Sequence, residues 1–244
     1  MKQNESLAET RAVFVLFAQK PNKSEQSPEY GFFCGGFYGR INENSKNAEG
    51  GRSMTNAPKT VLAIHDLPGF GRAALSVIVP VLSTLGVQTV ALPTAVLSTH
   101  TGGLGTPAKL ADPGYGPVAL EHYHRLGVKF DCIYSGYLAD AAQAKLVEQA
   151  FELWPRAFKV VDPVLGDGGR LYSGLGADMV PAMYSLCSKA DLIVPNVTEA
   201  ALLLGDPLPG VGSAEQAAAQ AARLTRVAPQ VVVTGVTGIG GGRY

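Results

Sequence analysis

The stretch Ala95-Val-Leu-Ser-Thr-His-Thr-Gly-Gly103 is one of three polar clusters that each follow an apolar run typical of a buried strand. The other two are Asp162-Pro-Val-Leu-Gly-Asp167 and Pro195-Asn-Val-Thr-Glu199. An open α/β sheet carries its ligand sites just beyond the carboxyl ends of its strands. The three clusters therefore predict an α/β protein with its site along those strand ends.

Short β-branched runs alternate with longer amphipathic stretches from residue 60 onward. Strands are predicted at 60–65, 87–92, 131–135, 158–161, 192–195 and 230–234, and helices at 72–85, 117–126, 139–153, 177–188, 197–204 and 214–226. Alternation of this kind with apolar strands indicates parallel βαβ units, with helices on both faces of one sheet.

The composition is that of a globular chain without charge bias. Its 244 residues are 46% hydrophobic, and 20 basic side chains balance 20 acidic ones. A zero formal charge provides no basic face for nucleic acid, so nucleic-acid binding is not expected. The apolar run at residues 12–18 is too short to cross a bilayer and follows an acid-containing start, which argues against a membrane anchor or a signal peptide.

Cys34, Cys132 and Cys187 lie far apart, without C-x-x-C spacing and in an odd number that does not suit a disulfide framework. We therefore expect reduced thiols and a cytoplasmic location. His122 and His124 lie on a predicted helix at a spacing that points them in different directions, so we expect surface residues and no shared metal.

Residues 1–56 are rich in Asn, Ser, Gly, Glu and Lys and show no sustained period of two or of 3.6. This composition predicts a poorly ordered extension before a single folded domain at residues 57–244. The change in composition also makes Met54 a candidate for the true start, in place of Met1.

Gly69-Phe-Gly71-Arg-Ala-Ala74 follows the first predicted strand and partly matches the G-x-G-x-x-G/A dinucleotide fingerprint. A nicotinamide site would need an acid near the end of the second strand to hold ribose, yet that strand ends Leu92-Pro-Thr94. Nicotinamide binding is therefore the least favoured interpretation of this stretch. A purely structural turn is favoured over it. No G-x-x-x-x-G-K-S/T sequence occurs, which excludes a P-loop kinase.

The acidic residues of the second and third clusters allow two interpretations. Asp162 and Asp167 flank a Pro-Gly turn, and two nearby anions are costly unless a cation lies between them, which magnesium carrying ATP phosphates would provide. The same aspartates could cap a turn, and Asn196 with Glu199 is also a good capping box. The residues alone therefore leave a magnesium site and a purely structural role both open.

His100 of the first cluster is open in the same way, because a histidine on a loop is usually exposed or caps a backbone group and less often binds a ligand.

The phrase Leu92-Pro-Thr-Ala-Val-Leu-Ser-Thr-His-Thr-Gly102 and the N-x-x-E motif at Asn196 resemble the pyridoxal/pyridoxamine kinases of the ribokinase-like superfamily. The resemblance runs from about residue 60 to residue 236. It implies a ribokinase-like three-layer α/β sandwich with a central, mostly parallel sheet. The implied reaction is transfer of the ATP γ-phosphoryl group to the 5′-hydroxymethyl of pyridoxal, pyridoxine or pyridoxamine, with ATP as co-substrate and Mg²⁺ as cofactor.

The resemblance also implies roles for individual positions. The vitamer would be held by Asp66, His100, Thr101, Tyr137 and Tyr172. ATP would be held by Asp162, Asn196, Glu199 and Thr234, and magnesium by Asp162, Asp167 and Glu199. Asp66 stands where many relatives carry a serine, and Tyr137 could equally be a packed core residue. Relatives are often dimers, so a homodimer is the oligomeric state to test.

Relatives continue after the last predicted strand to a G-x-G-D turn, whose amides cradle the phosphate and whose aspartate acts as base. The tail Gly235-Val-Thr-Gly-Ile-Gly-Gly-Gly-Arg-Tyr244 offers no aspartate. We therefore expect a kinase domain that is incomplete at its C-terminus, and the sequence identifies no catalytic base. A hydroxymethylpyrimidine-type kinase and an inactive fragment that only binds ligand are the alternatives.

Overall fold

The computed structural model describes residues 58–101, 104–172, 174–209 and 212–236, together with the backbone of two strands at 15–19 and 31–33. The elements in chain order are β1 (Val15–Gln19), β2 (Gly31–Phe33), β3 (Thr60–Phe70), α1 (Leu75–Thr84), β4 (Gln88–Thr99), β5 (Lys109–Leu110), α2 (Tyr115–Arg125), β6 (Cys132–Ser135), α3 (Ala141–Leu153), β7 (Phe158–Val161), β8 (Gly166–Asp167), β9 (Arg170–Leu171), α4 (Met179–Cys187), β10 (Leu192–Ile193), α5 (Val197–Leu204), α6 (Ala214–Leu224) and β11 (Gln230–Val233).

One sheet organises these elements in the strand order β2-β1-β11-β10-β7-β6-β3-β4-β5. The central strands from β11 to β4 are parallel, whereas β1, β2 and β5 pair antiparallel at the two sides. After β3 the chain places β4 on one side and then β6 on the other. The topological switch point therefore lies between β3 and β6, which is where open α/β sheets bind ligands.

The central strand β3 is buried at six consecutive positions, from Val61 to Asp66. Burial of neighbouring positions requires cover on both faces of the sheet, since successive side chains of a strand point to opposite faces. Leu62, Ile64 and Ile133 belong to one hydrophobic core together with residues of the flanking helices. The predicted α/β class, with a central and mostly parallel sheet, is confirmed.

Local signals set the ends of two helices. Asn196 caps α5 by accepting two backbone N–H groups, and Gly205 ends it in the left-handed conformation with φ of 69°. Ser213 caps α6 by accepting the N–H of Gln216 at 3.2 Å. Side chains of this type compensate the N–H groups that lack a partner at a helix start. The bounds predicted for α5 and for β7 match the observed ones.

The strands β3 and β4 extend further than the sequence predicts. They stay paired as far as Phe70 opposite Thr99, and β5 pairs with the other side of β4 through Val96 and Leu110. The predicted turn at Gly69 is therefore largely strand, and Ser98 belongs to β4 where a loop was expected. Backbone pairing with neighbouring strands supplies stabilisation that local composition does not reveal.

Two short strands, β1 and β2, lie within residues 1–56, for which the composition predicts no regular structure. β1 pairs antiparallel with β11, and β2 pairs with β1. The remaining residues up to 57, including Cys34 and Met54, lie outside the described residues. Among the described helices, none has both the length and the apolar character needed to cross a bilayer.

Candidate active site

The crevice between β3 and β6 brings together polar groups from both strands. His65 and Asp66 end the buried part of β3, and Nδ1 of His65 lies 2.5 Å from Oδ1 of Asp66. Tyr137 follows β6 through Gly136 and donates its backbone N–H to Nε2 of His65 at 3.3 Å. A carboxylate and an imidazole therefore meet the tyrosine backbone at the switch point.

The side chain of Tyr137 lies within electrostatic reach of Asp66. Burial raises the pKa of the Tyr137 phenol, and the charges of Asp66 and Asp140 raise it further. Thr94 of β4 donates its hydroxyl to the Tyr137 carbonyl at 3.4 Å, which joins a third strand to this cluster. The structure thus brings together two of the residues that the sequence assigns to the vitamer.

His100 and Thr101 lie at the far end of the ribbon that β3 and β4 form. His100 donates its N–H to the carbonyl of Phe70 at 3.1 Å. The His100 imidazole occupies the space that a Cβ on Gly71 would need, and Gly71 has φ of 102°, so this position favours glycine. Phe70 lies four strand positions beyond Asp66, roughly 13 Å along β3, which puts His100 far from Asp66.

A second cluster lies beyond the carboxyl ends of β7 and β10. Here the carboxylates of Asp162 and Glu199 are poorly solvated and close enough for their charges to interact. Burial raises the pKa of Asp162 to about 6, and the nearby His65 imidazole and the Tyr134 hydroxyl oppose this effect. That hydroxyl donates to Oδ2 of Asp162 at 3.1 Å. Burial and the Asp162 charge hold the pKa of Glu199 well above its usual range. A divalent cation relieves such an arrangement of neighbouring carboxylates.

Glu199 also fixes the backbone of the segment that follows β7. Its Oε1 accepts the N–H of Leu165 at 3.2 Å, and its Oε2 accepts the N–H of Asn196 at 2.8 Å. Asn196 donates Nδ2 to the carbonyl of Gly166 at 2.8 Å and forms a parallel bridge with Thr234, which follows β11. The capping box expected from the sequence is therefore present, and it is formed by two residues to which the resemblance assigns ligand roles.

Asp167 lies on the hairpin of β8 and β9, which turns at Gly168 and Gly169 with φ of 57° and 74°. The Asp167 side chain is exposed, and its Oδ1 accepts the N–H of Gly168 at 2.7 Å. The buried hydroxyl of Thr198 accepts the N–H of Gly169 at 3.0 Å. Helix α5 thereby holds the hairpin that carries Asp167.

Tyr172 follows the hairpin that carries Asp167, and burial together with the charges of Glu199, Asp167 and Asp162 raises the pKa of its phenol to about 12. Across the described ranges, however, no three His, Cys, Asp or Glu side chains come close enough together to hold a metal ion directly. The structure thus pairs Asp162 with Glu199 and does not add Asp167 as a third direct ligand.

Sequence analysis did not single out His65, Tyr134 or Thr198. A histidine and an aspartate side by side at the end of an apolar strand were a usable signal for His65. Tyr134 and Thr198 offered no local signal, because their partners lie 28 and 29 residues away in sequence. His122 and His124 are exposed on α2, as predicted.

Comparison with known proteins places this geometry in a family. A model of the phosphomethylpyrimidine kinase family matches residues 122–242. A Bacteroides thetaiotaomicron protein assigned as a phosphomethylpyrimidine kinase, in a crystal form with pyridoxal, is 39% identical with a TM-score of 0.68, over 72% of this chain and 62% of that one. The chain belongs to the pyridoxal kinase and phosphomethylpyrimidine kinase family.

Further members of this kinase family share the fold. Pyridoxal kinase from Lactobacillus plantarum is 40% identical with a TM-score of 0.62, over 68% of this chain and 60% of that one. Pyridoxal kinase from Leishmania donovani, solved with ADP and pyridoxamine, is 26% identical with a TM-score of 0.60, over 72% and 62%. Pyridoxal kinase PdxY from Deinococcus radiodurans is 28% identical over 72% of this chain and 61% of its own length.

The ribokinase-like architecture predicted from the sequence is therefore confirmed. This kinase-family chain spans about three fifths of the length of the relatives named above.

Proposed function

We propose that the chain carries the B6-vitamer and ATP sites of a pyridoxal kinase. The reaction is transfer of the ATP γ-phosphoryl group to the 5′-hydroxymethyl of pyridoxal, pyridoxine or pyridoxamine. One observation carries the proposal: two chemically different clusters adjoin one switch point. Asp66 and Tyr137, joined through His65, lie on one side, and the carboxylates of Asp162 and Glu199 lie on the other. Transfer of a phosphoryl group from a nucleoside triphosphate to a heteroaromatic alcohol needs a ring site and an acidic, metal-binding site next to each other.

The first cluster suits the ring. The carboxylate of Asp66 accepts a hydrogen bond from the polar edge of the vitamer, and the phenol of Tyr137 covers its face. Tyr172, whose phenol is influenced by the charges of Glu199, Asp167 and Asp162, would contact the vitamer from the side of the carboxylates. His100 and Thr101 form the outer wall, because the long β3–β4 pairing carries them away from Asp66.

The second cluster suits a nucleotide with magnesium. Asn196 and Thr234 would contact the nucleotide, and Asp162, Glu199 and Asp167 would organise Mg²⁺. Magnesium usually keeps several waters and is bound through one or two carboxylates plus substrate phosphates. The neighbouring carboxylates of Asp162 and Glu199 fit this pattern, and Asp167 would contribute from the nearby hairpin. The ion would neutralise charge on the phosphate oxygens.

The test is a mass-spectrometric assay of the purified 244-residue chain with Mg²⁺-ATP and equal amounts of pyridoxal, pyridoxine, pyridoxamine and hydroxymethylpyrimidine. A phosphorylated B6 product supports the proposal, and Asp162→Asn should then reduce its formation. If the chain is folded and binds pyridoxal but yields no product, while a control kinase works, the function is ligand binding alone. The homodimer and the cytoplasmic location belong to the same proposal, and analytical ultracentrifugation tests the dimer.

Hydroxymethylpyrimidine kinase activity is a second candidate, because the matching family model describes phosphomethylpyrimidine kinases. Its substrate is also a small heteroaromatic alcohol. Direct competition separates the two candidates: phosphorylation of hydroxymethylpyrimidine in preference to every B6 vitamer would favour the second one.

A further inference from the structure

His65 is a buried polar side chain in the crevice to which neither the sequence nor the family resemblance assigns a role. Both of its ring nitrogens are engaged: Nδ1 lies 2.5 Å from Oδ1 of Asp66, and Nε2 lies 3.3 Å from the backbone nitrogen of Tyr137. The residue is only 8% exposed. One imidazole therefore connects the end of β3 to the segment after β6 across the switch point.

These contacts select one form of the imidazole. The backbone N–H of Tyr137 can only donate, so Nε2 must be an unprotonated acceptor, and Nδ1 then carries the proton that it donates to Asp66. The backbone nitrogen of Asp66 also lies 2.9 Å from Nδ1. A single ring nitrogen cannot accept from that amide while donating to the carboxylate, and the charged acceptor makes the stronger bond.

The packing around the imidazole fixes its orientation as well. A Cβ on Gly136 would overlap Cδ2 and Nε2 of the His65 ring, so the ring occupies space that only a glycine leaves. The ring of Tyr134 lies stacked with it, at 6.3 Å between centroids and 26° between planes. Rotation of the ring away from Asp66 would therefore disturb β6 and the segment that follows it.

We propose that His65 is a positioning residue for ring recognition, and this proposal rests on the proposed function. Its imidazole holds the Asp66 carboxylate in one orientation and at the same time holds the backbone of Tyr137. The carboxylate then presents a fixed acceptor to the ligand. The site would thus select heteroaromatic alcohols whose polar edge offers an N–H or O–H donor.

The test compares substitutions that remove different bonds of His65. His65→Phe keeps an aromatic ring but removes both bonds, whereas His65→Asn keeps a donor near the position of Nδ1. Calorimetry on the 244-residue chain would measure pyridoxal and Mg²⁺-ATP separately, with the exposed His122→Phe as control. We expect His65→Phe to weaken pyridoxal binding by roughly 10- to 100-fold, the loss typical for a hydrogen bond to a charged group.

His65→Asn should recover most of that loss, and Mg²⁺-ATP affinity should stay within about twofold of wild type in each variant. Equal pyridoxal affinity in wild type and His65→Phe would overturn the role of His65. Parallel loss of pyridoxal and Mg²⁺-ATP binding would also overturn it, because that result indicates a general structural role. If His65→Phe does not fold, His65→Asn should still bind pyridoxal more tightly than His65→Gln, whose longer amide cannot keep the bond to Asp66; equal binding would refute the proposal.

A readout without ligand separates this inference from the proposed function. Long-range ¹⁵N correlation spectra should show His65 with its proton on Nδ1, assigned by the signal lost in His65→Asn. A proton on Nε2 would contradict the assigned contacts. If the wild-type chain shows the Nδ1 proton yet binds no B6 vitamer, the proposed function fails and the role of His65 in recognition fails with it.

Discussion

Asn196 and Glu199 each accept the backbone N–H of the other, at 2.9 Å and 2.8 Å. Both side chains also bond to the start of the hairpin: Asn196 donates to the carbonyl of Gly166 in β8, and Glu199 accepts the N–H of Leu165 just before it. The start of α5 and the acidic cluster are therefore held by the same side chains. Damage to this cap should affect stability and nucleotide binding together.

Asn196→Ala should lower the free energy of unfolding by more than the loss of an ordinary helix cap does. The cap contributes about 1 kcal/mol and the bond to Gly166 contributes about 1 kcal/mol more, so we expect roughly 2 kcal/mol. Ser213→Ala is a matched control, because it removes the cap of α6 alone. Urea denaturation measures both values, and calorimetry should show weaker Mg²⁺-ATP binding only for Asn196→Ala. Equal costs for the two variants would contradict the double role.

Asp162→Asn should stabilise the ligand-free chain at high pH. Because the pKa of Asp162 is raised from 3.8 to about 6, the group favours folding below pH 3.8, and this contribution is lost as the pH rises through 6. The amide stays neutral and can still accept the Tyr134 hydroxyl. Scanning calorimetry should show a higher Tm than wild type at pH 8 and a smaller gain at pH 5. Glu152→Gln, at an exposed position of α3, is the control, and a lower Tm for Asp162→Asn at pH 8 would refute the sign.

Asp167→Asn should weaken Mg²⁺-ATP binding while leaving the fold intact. The amide oxygen can still accept the N–H of Gly168, so the hairpin keeps its turn. Loss of one exposed negative charge near the ion should reduce the affinity roughly fivefold. Isothermal titration calorimetry measures this change, and wild-type affinity in the variant would remove Asp167 from the magnesium site.

Gly136→Ala should destabilise the chain through His65. The added methyl group overlaps the imidazole, and overpacking of this kind typically costs about 1–3 kcal/mol. His65→Ala removes the ring, so adding Gly136→Ala to that variant should leave its free energy of unfolding almost unchanged. A double-mutant cycle by urea denaturation gives the coupling. Additive effects of the two substitutions would show that the two residues do not contact each other.

The sequence predicts best where the signal is local. Helix α5 has an asparagine cap at its start and a left-handed glycine at its end, and its predicted bounds are the observed ones. β3 and β4 extend beyond their predicted ends, because the pairing that continues to Phe70 opposite Thr99 depends on contact between the two strands. A pattern along one strand does not contain that information.

The same distinction applies to the candidate site. From the sequence, Asp162 was paired with Asp167 across the Pro-Gly turn, whereas the structure brings Asp162 close to Glu199. His65 and Tyr134 gain their roles from contacts between strands, such as the hydrogen bond from Tyr134 to Asp162. The magnesium assignments of Asp162, Asp167 and Glu199 stay predictions, and the described structure leaves Asp167 on an exposed hairpin.

The pairing of β1 with β11 has a consequence for biosynthesis. The sheet can grow from β3 by adding β4, β6, β7, β10 and β11 in the order of their synthesis, because each of these strands pairs with one that is already made. β1 must instead wait for Gln230–Val233, its partner near the other end of the chain. Such distant pairing folds slowly, so one edge of β1 would stay unpaired and available to chaperones until translation has passed β11, even if β2 already pairs with its other edge.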